Sequence, residues 1–289
     1  MSKKVYFSVI ASLFILALSF ECTGINLGHS LSFTNDGVII KSFQVMPKTI
    51  YKGGNIDIFL TIQNVGTYET TVKPYIFGPS WLSPSCTSSL SPVTLNPADP
   101  LNNIPGGIAT LHCTSSVNPA LPQGMKETYT IYARLCYSYQ TDYLTKITVN
   151  SKNEFMMTNK QVYKSSGEQV GAPIKISLYS VPAFVKNNKL TIYFLISNAG
   201  SGFPFSGDCS PSPDYKNINI ISSFSATSDA GDLTCSPSND IKLINGKAYI
   251  ECTLNINLNN LPKKEITIHA TANYKYMTEQ KRSITVIGE

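Results

Sequence analysis

A chain of 289 residues has room for roughly two domains, each large enough to bury a core of its own. Only 14% of residues are charged, and Tyr, Ser, Thr, Asn and Ile are abundant, which favours strands and polar turns and excludes a helical bundle. The formal net charge of +5 rests on scattered lysines, so a basic face for nucleic acid is not expected.

The chain opens on a targeting segment. Lys3 and Lys4 precede the uncharged stretch Val5 to Phe20, of 16 residues. That length is long for a signal peptide's apolar core and short for a full membrane span. Glu21 and Cys22 follow, so residues 1–22 read as a signal peptide or an N-terminal membrane anchor. Three fates stay open: lipidation of Cys22, an uncleaved anchor, or secretion. Each places the remainder outside the cytoplasm. Cys22 as a lipid site would account for the odd count of seven cysteines, though Ser19-Phe20-Glu21 lacks the small residue a lipobox normally sets before the Cys. Residues 23–36 are a polar tether.

Strands then follow in order. Val38 to Val45 is apolar and ends in a Met46-Pro47 turn. Asn55 to Gln63 alternates, with Ile56, Ile58, Leu60 and Ile62 on one face. Asn64-Val65-Gly66 closes it, a pattern suited to positive φ. Thr70 to Phe77 is the next strand, then comes a Pro- and Ser-rich loop from Gly78 to Gly107, then Ile108 to Val117. Thr128 to Thr141 and Leu144 to Asn150 complete the first half. Residues 151–171 read as a linker, with a short helical turn at Glu154 to Met157. The second half repeats the order: Ile174 to Tyr179, Leu190 to Ser197, Asn198-Ala199-Gly200, Asn217 to Phe224, Ala248 to Ile256, Ile266 to Tyr276 and Arg282 to Ile287. A shared stretch fixes the alignment: Thr130, Tyr137, Tyr139 and Thr141 recur as Thr267, Tyr274, Tyr276 and Thr278, at a period of about 137 residues. The expected fold is all-β, two tandem immunoglobulin-like sandwiches spanning 37–150 and 172–289.

The repeat aligns Cys113 with Cys252 and Cys86 with Cys235, which suggests Cys86–Cys113 and Cys235–Cys252 disulfides in an oxidising compartment. Cys136 and Cys209 have no counterparts. Alternation points Cys136 outward, and the two either bridge the halves or stand free.

Little in the chain suggests catalysis. His29, His112 and His269 are dispersed, and no nucleophile elbow, phosphate loop or zinc-protease motif occurs. Asp229 and Asp232 are spaced plausibly for Ca²⁺, but turn chemistry explains them more simply. No catalytic residue, metal or cofactor is expected. Trp81 with Leu82 in the long loop, and Phe203 with Phe205 in the second half, form a possible interaction loop; for Trp81 a core plug is the competing reading.

Gly37 to Phe43, followed by a Gly-Gly turn and an Ile-x-Asn-x-Gly strand, resembles the CARDB-like immunoglobulin-type domains of archaeal cell-surface proteins. Asn96 to Pro100, Asn103 to Gly107 and Ala133 to Tyr139 resemble segments of two-domain surface proteins from small-genome archaea. The resemblance covers residues 37 to 287 and implies a fold without catalytic residues. The expectation is a non-enzymatic protein, anchored to the membrane through its N-terminus on the outer cell surface. It would act in adhesion, envelope structure or cell–cell contact, with another surface protein or envelope component as partner. The alternative is a subunit of an extracellular filament or surface layer, in which a strand such as Val38 to Val45 adds to a neighbour's sheet.

Overall fold

The computed structural model describes residues 35–82, 86, 90–158, 167, 169, 171–210 and 214–289. The leader, Cys22, His29 and most of the tether lie outside these residues. Phe33–Glu289 forms one compact unit.

The described chain is nearly all β. Its first-half strands are β1 (Val38–Met46), β2 (Thr49–Tyr51), β3 (Asn55–Asn64), β4 (Thr70–Phe77), β5 (Val93–Leu95), β6 (Ile108–Ser116) and β7 (Lys126–Asn150). A seven-residue helix, α1 (Lys152–Thr158), follows, its first turn capped by Ser151 Oγ accepting from the Glu154 N–H at 3.1 Å. The second half contributes β8 (Ile174–Ser180), β9 (Lys189–Asn198), β10 (Phe203–Phe205), β11 (Ile220–Ser228), β12 (Gly231–Ser236), β13 (Asn239–Lys242), β14 (Lys247–Asn255) and β15 (Lys263–Ile287).

β1, β3 and β6 form a three-stranded sheet in the order β1-β3-β6. The remaining strands form one continuous sheet in the order β5-β4-β7-β15-β11-β12-β14-β9-β8, with β10 and β2 also on β15 and β13 also on β11. Its spine is the pair β7 and β15, each 25 residues long and antiparallel over the whole length from Lys263↔Asn150 to Ile287↔Lys126.

This spine departs from the expected layout. The sequence suggested a break between Thr141 and Leu144, with a separate final strand. Instead β7 runs unbroken, because Gln140-Thr141-Asp142-Tyr143 contains no Gly, Pro or Asn to turn it. The final strand of each half therefore lies in the other half. Residues 126–137 pair with 276–287 beneath the β1-β3-β6 layer, and residues 139–150 pair with 263–274 beneath β8, β9 and β14. Each sandwich is completed by a strand its partner supplies. The repeat makes Ser138 the counterpart of Lys275, and these two face one another in the pairing, so a pseudo-two-fold axis passes between them.

Burial follows from this arrangement. One face of β7 is covered along its length by alternating residues, from Ile131, Ala133 and Leu135 through Tyr137 and Tyr139 to Ile147 and Val149. Ile266, Ile268, Ala270, Ala272, Tyr274, Tyr276, Ile284 and Val286 do the same on β15. A single apolar cluster runs through both halves. Across the second sandwich Phe194 of β9 meets Phe224 of β11 at 5.4 Å between centroids.

Candidate functional site

At the waist, where the two covering layers meet, four tyrosines of the shared stretch are buried together. Tyr137 contacts Tyr139 and Tyr276, and Tyr274 contacts Tyr139 and Tyr276, with centroids 5.7 to 6.3 Å apart. A buried phenol needs a partner for its hydroxyl, and each finds one. The Tyr68 N–H donates to the Tyr139 hydroxyl at 3.2 Å, and the Gly202 N–H donates to its counterpart Tyr276 at 3.1 Å. Tyr139 in turn donates to the Gly171 carbonyl, and Tyr276 to Asn198 Oδ1. The Val38 N–H donates to Tyr137, while Tyr274 donates to the Thr141 hydroxyl, which itself donates to the Ile174 carbonyl. Burial raises every one of these phenols above the ordinary tyrosine value, Tyr139 to about 12. They are structural, neutral groups that fasten the start of each half and each Asn-x-Gly corner to the spine.

Those corners correct one expectation. Neither Gly66 nor Gly200 has positive φ. Glycine is required there by close approach: a Cβ on Gly66 would lie 2.0 Å from the Tyr139 hydroxyl and 2.3 Å from the Gly171 carbonyl, and one on Gly200 would lie 2.5 Å from the Tyr276 hydroxyl. The asparagine closes the corner itself. Asn64 Nδ2 donates to the Tyr68 and Leu95 carbonyls, and its Oδ1 accepts from the Gly66 N–H.

Two surface features lie beside this fastened corner. The first is a hairpin. The Ala98 N–H donates to the Gly66 carbonyl, Asp99 and Ile104 exchange both backbone hydrogen bonds at 2.9 Å, and the Asp99 carboxylate accepts from the N–H groups of Leu101 and Asn102 and from the Asn102 amide. These bonds hold the Asp99 carboxyl below the usual carboxylate range, led by the Asn102 side chain. The closed loop holds Leu101 out with 91% of its surface exposed, and Ile104 beside it is also exposed. The second is a groove of 690 Å³ next to the corner, lined by Thr67, Tyr68, Gln140, Asp142, Leu144, Gln169 and His269 among others. Asp142 accepts from Thr271 Oγ1 at 2.8 Å and lies 3.1 Å from His269 Nε2. Leu144 is exposed at its edge.

On the opposite flank the second half carries an insertion with no counterpart in the first. It begins with β10 on β15 and crosses the outer face of the spine. A Cys136–Cys209 disulfide pins it to β7. Phe205 is buried against Cys136 and Met277. Arg134, buried under the strap, donates to the Ser210 carbonyl and to Glu279, and its guanidinium lies 4.8 Å from the Phe77 ring centroid. Cys136 does point to the outer face, and the strap covers it there.

The remaining candidates fall as follows. The structure bonds Cys86 to Cys113 and Cys235 to Cys252. Of the possible interaction loop, Leu82 and Phe205 are buried, and Trp81 is partly buried against the core with its ring edge-on to Tyr129 at 5.6 Å. Phe203, 51% exposed, is the most open of the four, because β10 alternates and sends Phe205 inward. These four residues do not come together as one surface. His112 stacks on Phe59 and lies 3.0 Å from Asp57 on the opposite face of the first half from the spine. Asp229 and Asp232 flank the β11–β12 turn. The hairpin at Asp99 was not anticipated from the sequence, although Asp-Pro-Leu-Asn-Asn already carried the turn chemistry that closes it.

No protein-family model and no curated protein matches this chain. Among solved structures, the envelope protein VP37 of White Spot Syndrome Virus aligns over 49% of this chain and 98% of its own, at 9% identity and a TM-score of 0.24. Escherichia coli alpha-2-macroglobulin activated by porcine elastase aligns over 87% of this chain and 32% of its own, at 8% identity and a TM-score of 0.14. The collagen adhesin of S. aureus aligns over 86% and 92%, at 10% identity and a TM-score of 0.12. Scores at this level carry no argument about function.

Proposed function

We propose that this is a non-enzymatic binding protein of the outer cell surface, held to the membrane through its N-terminus and recognising another surface or envelope protein at the waist. The observation that carries the reading is the Asp99 hairpin: a loop closed by five backbone and carboxylate hydrogen bonds presents an almost fully exposed leucine. An exposed aliphatic on a fastened loop is suited to fill a partner's pocket at little entropic cost. Three disulfides among the described residues support an oxidising, extracellular setting. The CARDB-like affiliation belongs to the same reading.

Filament assembly by strand addition at β1 receives less support. The outer edge of β1 is engaged by the spine: Gln280 donates to the Ile40 carbonyl and Arg282 to the Phe43 carbonyl, and a bulge interrupts the pairing between Ile40 and Ser42. The edge of β8 is treated alike, by the Tyr143 hydroxyl on the Leu178 N–H and by the Gln169 amide on Ile174 and Ile176.

The test is adhesion of beads coated with the full chain to envelope preparations of the source cells, beside a Leu101→Asp variant. The variant is expected to keep its melting temperature, since the side chain touches no core, and to lose adhesion. Equal adhesion by both proteins would remove the hairpin from the reading.

A further inference from the structure

At the far end of the second half, away from the waist, three connections border an open recess of 370 Å³. This lies within the range of small-ligand sites, roughly 300–1,000 Å³. Asn153, Asn187, Asn188, Asn257, Asn259 and Asn260 line it. Asn187 and Asn188 form the tight turn before β9, and Asn259 and Asn260 the turn before β15; all four have positive φ, between 47° and 64°. Asparagine tolerates that conformation, so the backbone alone might seem to account for it.

The first half supplies the control. The corresponding turn before β3 has Gly53 at its left-handed position, φ 88°, and the turn before β7 has Gly124, φ 72°. There a single glycine, with no side chain, takes the left-handed position, whereas each second-half turn places two consecutive asparagines in it. These asparagines, all solvent-exposed, border one hollow. Among the described residues, the side-chain amides of Asn153, Asn187, Asn188, Asn259 and Asn260 make no hydrogen bond within the protein; only Asn257 Oδ1 is engaged, by the Asn259 N–H at 2.9 Å.

An amide presents both a donor and an acceptor, which is what a hydroxyl group pairs with. Several unspent amides around one hollow match a ligand dense in hydroxyls. Half-exposed Leu261 adds an apolar patch against which a sugar's C–H face can rest, and Lys152 is the charged residue of the lining. We infer that this recess is a binding site for a neutral saccharide, separate from the waist and absent from the first half.

The experiment titrates the full chain with a panel of glucose, galactose, mannose and N-acetylglucosamine and their disaccharides, followed by saturation-transfer NMR and calorimetry. At least one is expected to bind saturably at millimolar concentration. Replacing Asn187, Asn188 and Asn260 by glycine keeps the left-handed turns and removes three amides, and should weaken binding by about tenfold or more. Asn260→Gly alone should weaken it less, and serves if the triple variant does not fold. Leu101→Asp at the waist should leave saccharide binding unchanged, which separates this site from the proposed adhesive one. No saturable binding anywhere in the panel, or equal affinity in the glycine variants, overturns the inference.

Discussion

The two halves share a frame and differ in how they close their open flank. In the second half β12 pairs with both β11 and β14, so hydrogen bonds run without interruption from the spine into the covering layer. In the first half no described strand makes that link. The segment between β4 and β6 fills the flank with Leu82, Trp81 and short β5, and Cys86–Cys113 staples it to β6. Cys235–Cys252 joins residues already paired across β12 and β14, whereas Cys86–Cys113 joins segments that no ladder holds. The comparison teaches that the spine and its tyrosines set the frame, while the flanks and ends are free to diverge.

The largest effect should come from breaking the reciprocity. A chain ending at Tyr274 lacks nothing the repeat assigns to the first half, yet it removes the strand that completes the first sandwich. Amide exchange in β1, β3 and β6 should lose its protection, while β9 and β14 keep more of theirs. Protection retained in β1 would show that the exchanged strand is dispensable.

The flanks offer the next comparison. Loop closures of 27 and 17 residues give each outer disulfide about 3 kcal/mol in the chain-entropy account. Cys113→Ser should cost close to that figure by denaturant unfolding. Cys252→Ser should cost visibly less than Cys113→Ser, because the β12–β14 ladder stays in place. Equal losses would mean the ladder contributes nothing extra.

The corners come third. Gly66→Ala forces a Cβ against the Tyr139 hydroxyl and a backbone carbonyl, and should destabilise by about 1–3 kcal/mol. Gly200→Ala meets a hydroxyl and a proline side chain at longer range and should cost less, as read from melting temperatures.

The effect most evenly shared between the halves is in pH. The buried phenols have folded-state values above those of the unfolded chain, so their contribution to stability is complete below the ordinary tyrosine value near about 10. It is lost as pH rises from there through the folded value of Tyr139, about 12. In that window only the unfolded chain releases these protons, and stability should fall by up to about 1.4 kcal/mol per pH unit for each tyrosine. Both halves should loosen together, since the quartet belongs to both. Tyr139→Phe should flatten the slope.

Much of this frame was legible in the residues. Alternation at Ile56 to Ile62 and at Ile131 to Tyr139 marked the buried faces, and the repeat matched the cysteines that prove to be bonded in each half. The exchange was not legible, because alternation marks the same buried face in a hairpin and in an exchanged pair and says nothing of the partner strand; only the absence of Gly, Pro or Asn between Gln140 and Tyr143 pointed away from a turn. The burial of Phe205 depended on an insertion folding across a distant face. The asparagine recess was invisible because its members lie in three connections more than thirty residues apart, and each alone is an ordinary turn residue.

The reciprocal spine also imposes an order of events. Residues 276–287 are synthesised after everything they pack against in the first half. Until they arrive, β7 has an open edge and β1 lacks the side chains that occupy its carbonyls. The first sandwich therefore stays incomplete until the last residues of the second half have been made.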